Sequence, residues 1–334
     1  MVQCAKRGAG WLKLNITVII PTYRRVNDLL NCLDGLDQQR LQPYELLVVV
    51  RSSDLETKAA LDRRAGALGG RLRIVEVNQP GQVHALNTGI MHATGDIIAI
   101  TDDDAVPRPD WLMRIERIFR EHPEVGGVGG RDYVYHNGQL IGGEKKNVGR
   151  LSWYGRVTGN HHLGIGEARE VDVLKGANMS FRRAALRGLS FEHRLRGTGA
   201  QVHNDLDISL SVKRAGWKLI YSPEVAVDHY PAVRHDEDKR GIFHPEAMTN
   251  AVHNETLALL KHLKAAQRPV YLIWALLIGT RAAPGLVQFL RHWPSERRVA
   301  GKKLLASIKG RYEGWQTWRR NSDHAISGPQ IRLQ

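Results

Sequence analysis

The sequence predicts an α/β fold built on a mostly parallel sheet, and three features predict it. Over the first hundred or so residues, apolar runs of strand length alternate with stretches whose apolar residues recur at helical spacing. The strand-like runs are apolar at successive positions, as in strands covered on both faces. Each run stops abruptly in polar or turn-forming residues, so the loops at the carboxyl ends are expected to gather on one edge, where α/β sheets bind ligands.

Residues 16–22 form the first strand, which ends at Pro21, and residues 26–40 carry Leu29, Leu30, Leu33 and Leu36 at helical spacing. A second strand at 46–50 gives way to Arg51, Ser52, Ser53 and Asp54, with a helix starting near Leu55. Residues 73–77 read as a third strand, closed by Asn78, Gln79, Pro80 and Gly81, and 83–92 as the next helix. A fourth strand, containing Ile98, Ala99 and Ile100, runs into Asp102, Asp103 and Asp104, and residues 111–121 form a further helix. The Gly-rich stretch 126–132 does not open a helix after a strand, which argues against a dinucleotide fingerprint. It suits a strand edge where another backbone comes close. Residues 171–183 read as one apolar strand, interrupted at Gly176, Ala177 and Asn178, where small side chains leave room for a ligand or for tight packing. Residues 203–207 open a helix that Gly216 stops, and strands at 218–221 and 225–231 follow, the latter carrying His229.

The acidic triplet carries the chemistry. Three like charges at a strand end repel one another, and burying them without a partner is costly. A divalent cation removes that cost. Hard oxygen ligands favour Mg²⁺ or Mn²⁺, ions that commonly bridge carboxylates to substrate phosphates. The plainer alternative is a solvated acidic turn that caps the next helix. Asp205 and Asp207, at a helix start, read first as caps, with one of them free to face a cleft as a base. A lone His after a strand is ordinarily a packed or surface residue. Set against the acidic triplet, His229 becomes a candidate extra metal ligand.

Composition bounds the function. At 334 residues the chain exceeds the usual size of a single core, so one large domain with an appendage is expected. A net charge of +14 predicts an anionic partner: nucleic acid, an acidic membrane surface or phosphate-bearing substrates. Cys4 and Cys32 form no disulfide framework or metal spacing, which suits a reducing compartment. Residues 1–10 lack an apolar core of signal-peptide length, which points to the cytoplasm.

Several pieces, in order, amount to a resemblance. They are residues 18–23, 85–89, 93–104 and 109–112, then 176–180, 204–207 and His229. Together they resemble the inverting GT-A glycosyltransferases of the large family-two group, which build bacterial cell-surface polysaccharides and glycolipids. The resemblance covers residues 16–231. It implies a GT-A fold, with a Rossmann-like central sheet flanked by helices, over residues 16–235. The nucleotide-binding half would occupy about 16–130 and the acceptor half about 131–235, preceded by an N-terminal segment, 1–15.

The resemblance also implies roles. Pro21, Thr22 and Tyr23 would line the donor nucleotide pocket with Arg51, Asn87, Asp102 and Asp103, Asp102 being on the ribose side. Asp104 would hold Mn²⁺ or Mg²⁺ on the diphosphate of a nucleotide-sugar, with His229 as second protein ligand. Lys175, Gly176, Ala177 and Asn178 would form the acceptor and sugar pocket. Asp205 falls at the family's catalytic base, with Asp207 as rival, and Asn204 replaces the usual Glu beside it. Arg51 stands where the family often has an Asp that reads the nucleobase. UDP is the family's default donor base, and GDP and dTDP stay open. A nucleotidyltransferase would instead carry a Gly-rich loop after the first strand, and residues 21–25 contain no glycine. A nucleic-acid groove would contain three carboxylates, so no nucleic-acid partner is expected. A catalytically inactive sugar-nucleotide binder remains the alternative.

Residues 236–334 are expected to form a basic, amphipathic helical extension. Residues 245–263 read as helix, and 270–290 are strongly apolar yet contain Arg281 and Pro284, too short an apolar run to span a bilayer comfortably. Flanking cations from His262 and Lys264 to Lys302 and Lys303, then Trp315, Trp318, Arg319 and Arg320, suit helices lying on an anionic membrane face. The extension would then dock the enzyme peripherally on the inner face of the membrane, near a saccharide or lipid-linked acceptor. A helical cap or an oligomer interface is the competing role.

Overall fold

The computed structural model describes residues 13–66, 70–233, 239 and 242–326. Cys4 and most of the charged break at 235–240 lie outside them. The main sheet starts with four strands, β1 (Ile16–Thr22), β2 (Glu45–Arg51), β3 (Leu72–Val77) and β4 (Ile97–Thr101). It continues with β5 (Ala105–Pro107), β6 (Val125–His136), β7 (Gln139–Leu140), β10 (Arg169–Val171), β11 (Asn178–Arg182) and β12 (Lys218–His229), while β8 (Arg150–Leu151) and β9 (Val157–Thr158) pair separately. The strand order is β10-β12-β6-β11-β4-β1-β2-β3, with β5 beside β12 and β7 beside β6. Strands β1 to β4 run parallel, β11 runs antiparallel between β4 and β6, and β12 lies parallel to β6.

Helices α1 (Val26–Asp37), α2 (Leu55–Ala65), α3 (Gln82–His92) and α4 (Trp111–Glu121) connect the strands of the first half. Val18, Ile19, Ile20, Val48, Val49, Ile98 and Ile100 have no exposed surface, as the apolar runs require. On α4 the buried positions are Trp111, Leu112, Ile115 and Phe119, one helical face, and each such side chain contributes about 1.5–3 kcal/mol.

Three strand readings change. The expected strands at 218–221 and 225–231 are one, β12, which is irregular between Ser222 and Val227. The expected strand at 171–183 is two: β10 pairs with β12 and β11 with β4 and β6. A turn closed by Asn178 N–H donating to the Lys175 carbonyl separates them. The Gly-rich stretch lies in the sheet interior rather than at an edge. Its glycines do meet close neighbours: a Cβ on Gly130 would fall 1.7 Å from the Val225 carbonyl oxygen, where β12 bulges between Ser222 and Val227.

The second half adds α5 (Asn204–Arg214), α6 (Pro245–His262), α7 (Gln267–Leu277), α8 (Leu286–Glu296) and α9 (Arg298–Ile326). Helix α6 packs on the α/β body: Leu257 joins the main core, and Asn254 Oδ1 accepts from Arg196 N–H while its Nδ2 donates to the carbonyls of Arg196 and Val202. Lys261 Nζ donates to Asp207 at 3.0 Å and to Glu192 at 3.1 Å. Helix α9 crosses α6 through Gly310 and Gly314, where a Cβ would lie 2.6 Å from the Thr249 carbonyl oxygen and 2.7 Å from that of His253. Among the described residues, no helix is long and apolar enough to cross a membrane.

Gly130→Ala should destabilise the protein by about 3 kcal/mol or more, because the backbone of Val225 cannot yield, and denaturant unfolding checks this. Burial works to raise the pKa of Glu192, but Arg194 and Lys261 outweigh it and hold it at about 2. A carboxylate with a depressed folded pKa adds stability above its unfolded value and loses it as pH falls through the folded one. Thermal melts of wild type should therefore weaken between about pH 4.5 and about pH 2. Glu192→Gln should start less stable and lose less over that interval.

Candidate active site

The carboxyl ends of β1, β2 and β4 meet on one edge, as the polar endings of the strand runs require. They open into a cavity of about 230 Å³ lined by Pro21, Thr22, Tyr23, Arg51, Asp102, Asp103 and Asp104. Gln82 at the start of α3 and Thr198, Gly199 and Ala200 of the loop before α5 close its other side. Arg51 lies over the Tyr23 ring, 4.0 Å from the centroid, forming a cationic and aromatic wall.

The acidic triplet is not a solvated turn. Asp103 and Asp104 are each only 3% exposed. Thr22 Oγ1 donates to Asp103 at 2.8 Å and Arg25 at 2.9 Å, with Arg25 also 3.7 Å from Asp104. Burial raises the pKa of Asp103 to about 7, against the lowering effect of Arg25. Asp102 stands nearer the opening and accepts from Gln82 Nε2 at 3.1 Å.

Strand β12 brings His229 to Asp104. Its Nε2 lies 3.2 Å from Asp104 Oδ1 and its Nδ1 3.7 Å from Asp132 at the end of the Gly-rich run. These are ion-pair contacts, and both ring nitrogens are buried without a hydrogen bond. Burial lowers the His229 pKa, but the two carboxylates outweigh it and lift it to about 9. Asp104 Oδ2 accepts from Ala232 N–H at 2.9 Å. Lys175 pairs with Asp132, the adjacent Gly176 N–H donates to Asp205 Oδ2 at 3.3 Å, and so contacts run unbroken from Asp104 to Asp205. Imidazole nitrogens without hydrogen bonds beside a buried carboxylate fit a divalent cation. Among the described residues no set of three His, Cys, Asp or Glu side chains could hold one unaided, so Asp104 and His229 would bind it openly, leaving positions for substrate oxygens.

Five expected site residues serve the framework instead. Asn87 exchanges hydrogen bonds with the backbone of Phe191 and does not line the cavity. Asn178 accepts from Trp111 Nε1 and donates to the Val225 carbonyl, buried in β11. Asp207 has no exposed surface and is held by Lys261 and by His262 Nε2 at 2.9 Å, which leaves Asp205 the half-buried carboxylate of the pair. Asn204 donates to the carbonyls of Ala200 and Gln201 and to Gln82 Oε1, fixing the loop rather than facing an acceptor. Lys175 faces Asp132 instead of open space. Arg25, Gln82, Asp132 and residues 198–200 belong to the site although no sequence motif marks them. Asp132 alone left a trace, as the carboxylate that closes the Gly-rich run.

A mostly parallel sheet flanked by helices in this order is the GT-A fold, and solved glycosyltransferase structures share it. The mannosyltransferase PcManGT of Pyrobaculum calidifontis, in complex with GDP-Man and Mn²⁺, matches 92% of this chain and 84% of its own at a TM-score of 0.55 and 22% identity. TarS of S. aureus, in complex with UDP-GlcNAc, matches 92% of each chain at a TM-score of 0.53 and 14% identity. The chain belongs to the family described as glycosyltransferase like family 2, whose family model matches residues 14–267, and it is an enzyme of the transferase class. Among curated relatives, the glucosyl-dolichyl phosphate glucuronosyltransferase of Haloferax volcanii is 24% identical over 226 residues, 65% of this chain and 69% of the relative. Glycosyltransferase AglE of the same organism is 32% identical over 126 residues, 37% of this chain and 41% of the relative.

Arg25→Ala should destabilise the protein by about 3 kcal/mol, because it removes the cation that faces the buried Asp103 carboxylate at 2.9 Å, with thermal or denaturant melts as the check. Added Mn²⁺ should restore part of that loss.

Proposed function

We propose that the enzyme transfers a sugar from a nucleoside-diphosphate sugar to an acceptor hydroxyl, in a divalent-metal-dependent reaction that inverts the anomeric carbon. The observation that carries this reading is the placement of Asp102 and Asp104 on one wall of the cavity that Pro21, Thr22 and Tyr23 also line. The nucleoside would lie against Tyr23 and Arg51, its ribose toward Asp102. Asp104 and His229 would hold Mn²⁺ or Mg²⁺, which when bound supplies charge neutralisation for a departing diphosphate. Asp205, at the start of α5, would accept the acceptor's hydroxyl proton as its oxygen attacks the anomeric carbon. The bond to the nucleoside diphosphate breaks as the new glycosidic bond forms, and a single displacement inverts the configuration. That PcManGT binds GDP-Man with Mn²⁺ and TarS binds UDP-GlcNAc supports a nucleotide-sugar donor with a divalent cation.

The acceptor we assign is a saccharide or a lipid-linked saccharide, as in cell-surface polysaccharide or glycolipid synthesis, reached by peripheral attachment at the cytoplasmic face of an anionic membrane. The basic C-terminal helices and the glucosyl-dolichyl phosphate named in the Haloferax relative support this choice.

Thermal melts with Mn²⁺ and UDP, GDP, dTDP or CMP test the donor site. One diphosphate should raise the melting temperature only with metal, and Asp104→Ala should abolish the shift. No shift in wild type would defeat the metal-diphosphate assignment. Asp205→Asn should keep the shift yet lose about a hundredfold or more in kcat. An unaltered kcat would remove Asp205 as the base, and a shift without turnover on any acceptor would leave a sugar-nucleotide binder.

A further inference from the structure

A second cavity, of about 350 Å³, lies between α7, α8 and the β8–β9 turn, lined by Arg156, Trp274, Arg281, Gln288, Arg291 and His292 among others. None of its lining residues is a carboxylate, and among the described residues no ion pair or side-chain hydrogen bond is made by Arg156, Arg281 or Arg291. The nearby Glu296 is already engaged by Lys303 at 2.6 Å. Three guanidinium groups around one hollow, of which only Arg281 feels a nearby carboxylate, that of Glu296, match an anion with several oxygens, since each presents planar N–H donors that suit phosphate.

The hollow is built rather than incidental. Just after α7, Gly279 with a φ of +66° turns the chain, and Gly279 and Pro284 form a bridge across the α7–α8 turn. Arg311 of α9, 4% exposed, donates to the carbonyls of Ala283 and Pro284 at 2.7 and 3.1 Å and so clamps that turn. On the other side Gln267 Nε2 donates to the Trp153 carbonyl, and the Tyr154 and Trp274 rings stand 5.3 Å apart.

The surface around the hollow is apolar. Ile273 is 59% exposed, Leu277 53%, Leu290 60% and Trp293 48%, while Trp153 beside them is 66% exposed. Single exposed apolar residues are ordinary, but two consecutive helices and an aromatic turn carrying them together mark an interaction face. Apolar and Trp side chains flanking free arginines are what a bilayer interface with anionic headgroups accommodates.

We propose that this cavity binds the phosphate headgroup of an anionic lipid while the surrounding side chains of α7, α8 and the β8–β9 turn enter the bilayer interface. This deepens the membrane attachment proposed above, and it does not depend on the transfer chemistry. The arginines hold the headgroup, and Ile273, Leu277, Leu290 and Trp293 supply the apolar contact.

Vesicle co-sedimentation of the full chain tests it, using phosphatidylcholine with or without phosphatidylglycerol. Circular dichroism melts of each variant provide the folding control, so the outcome stands whether or not any nucleotide binds. Wild type should bind the phosphatidylglycerol vesicles and largely ignore pure phosphatidylcholine. Arg281→Gln with Arg291→Gln should weaken binding about tenfold or more, and Leu277→Ser with Leu290→Ser should weaken it comparably. Either folded double variant binding like wild type would overturn the proposal, as would equal binding of both vesicle types. Stabilisation by inorganic phosphate or pyrophosphate without vesicle binding would assign the cavity to a soluble anion instead. A dimer that the Leu277→Ser and Leu290→Ser changes dissolve, without vesicle binding, would assign the face to a second copy of the chain.

Discussion

Buried negative charge at the end of β4 is the constraint around which the site is assembled. Two adjacent carboxylates at 3% exposure cannot both stay ionised without cations close by. The cations come from far away in sequence: Arg25 from the segment following β1, and His229 from the far end of β12. Each requires its own piece of architecture. The parallel pairing of β1 with β4 sets Thr22 and Arg25 beside Asp103, and the antiparallel pairing of β12 with β5 places His229 directly opposite Ala105. The bulge in β12 and the glycines of β6 let those two strands lie close enough for Asp132 to reach the same cluster.

The parts of this design that depend on local pattern were legible in the sequence. Strands β1, β2 and β4 and helix α4 follow from apolar periodicity and abrupt polar endings, and the acidic edge follows from where those endings fall. Relations between distant strands were not. Nothing local shows that β6 runs between β11 and β12, so its glycines read as an edge feature when they are an interior one. Nor does local pattern show that residues 174–177 turn the chain, which is why β10 and β11 read as one strand. Asn87 and Asn178 sit inside motif segments, yet their amides satisfy buried backbone and indole groups. A motif marks where the chain is constrained, and only the fold shows whether the constraint is chemical or architectural.

Asp205 and Asp207 show the same limit at closer range. They are two residues apart at one helix start, and spacing alone left them interchangeable. The difference lies in α6, which begins 38 residues after Asp207 and returns Lys261 and His262 to it. Asp207 therefore anchors α6 to the body, while Asp205 stays beside Gly176 and the acidic cluster.

Asn254 gives that anchoring a practical meaning. It ties α6 to the backbone at Arg196 and Val202, and between them lies the loop whose residues 198–200 border the cavity at the carboxyl edge of the sheet. Helix α6 is thus part of the wall of that cavity, although it comes after the last motif of the resemblance. A chimera that exchanges C-terminal regions to redirect such an enzyme would have to splice beyond α6, between it and α7. A junction drawn earlier, at the end of the motif-bearing segment, would carry away the post that holds one wall of the cavity beside the acidic edge.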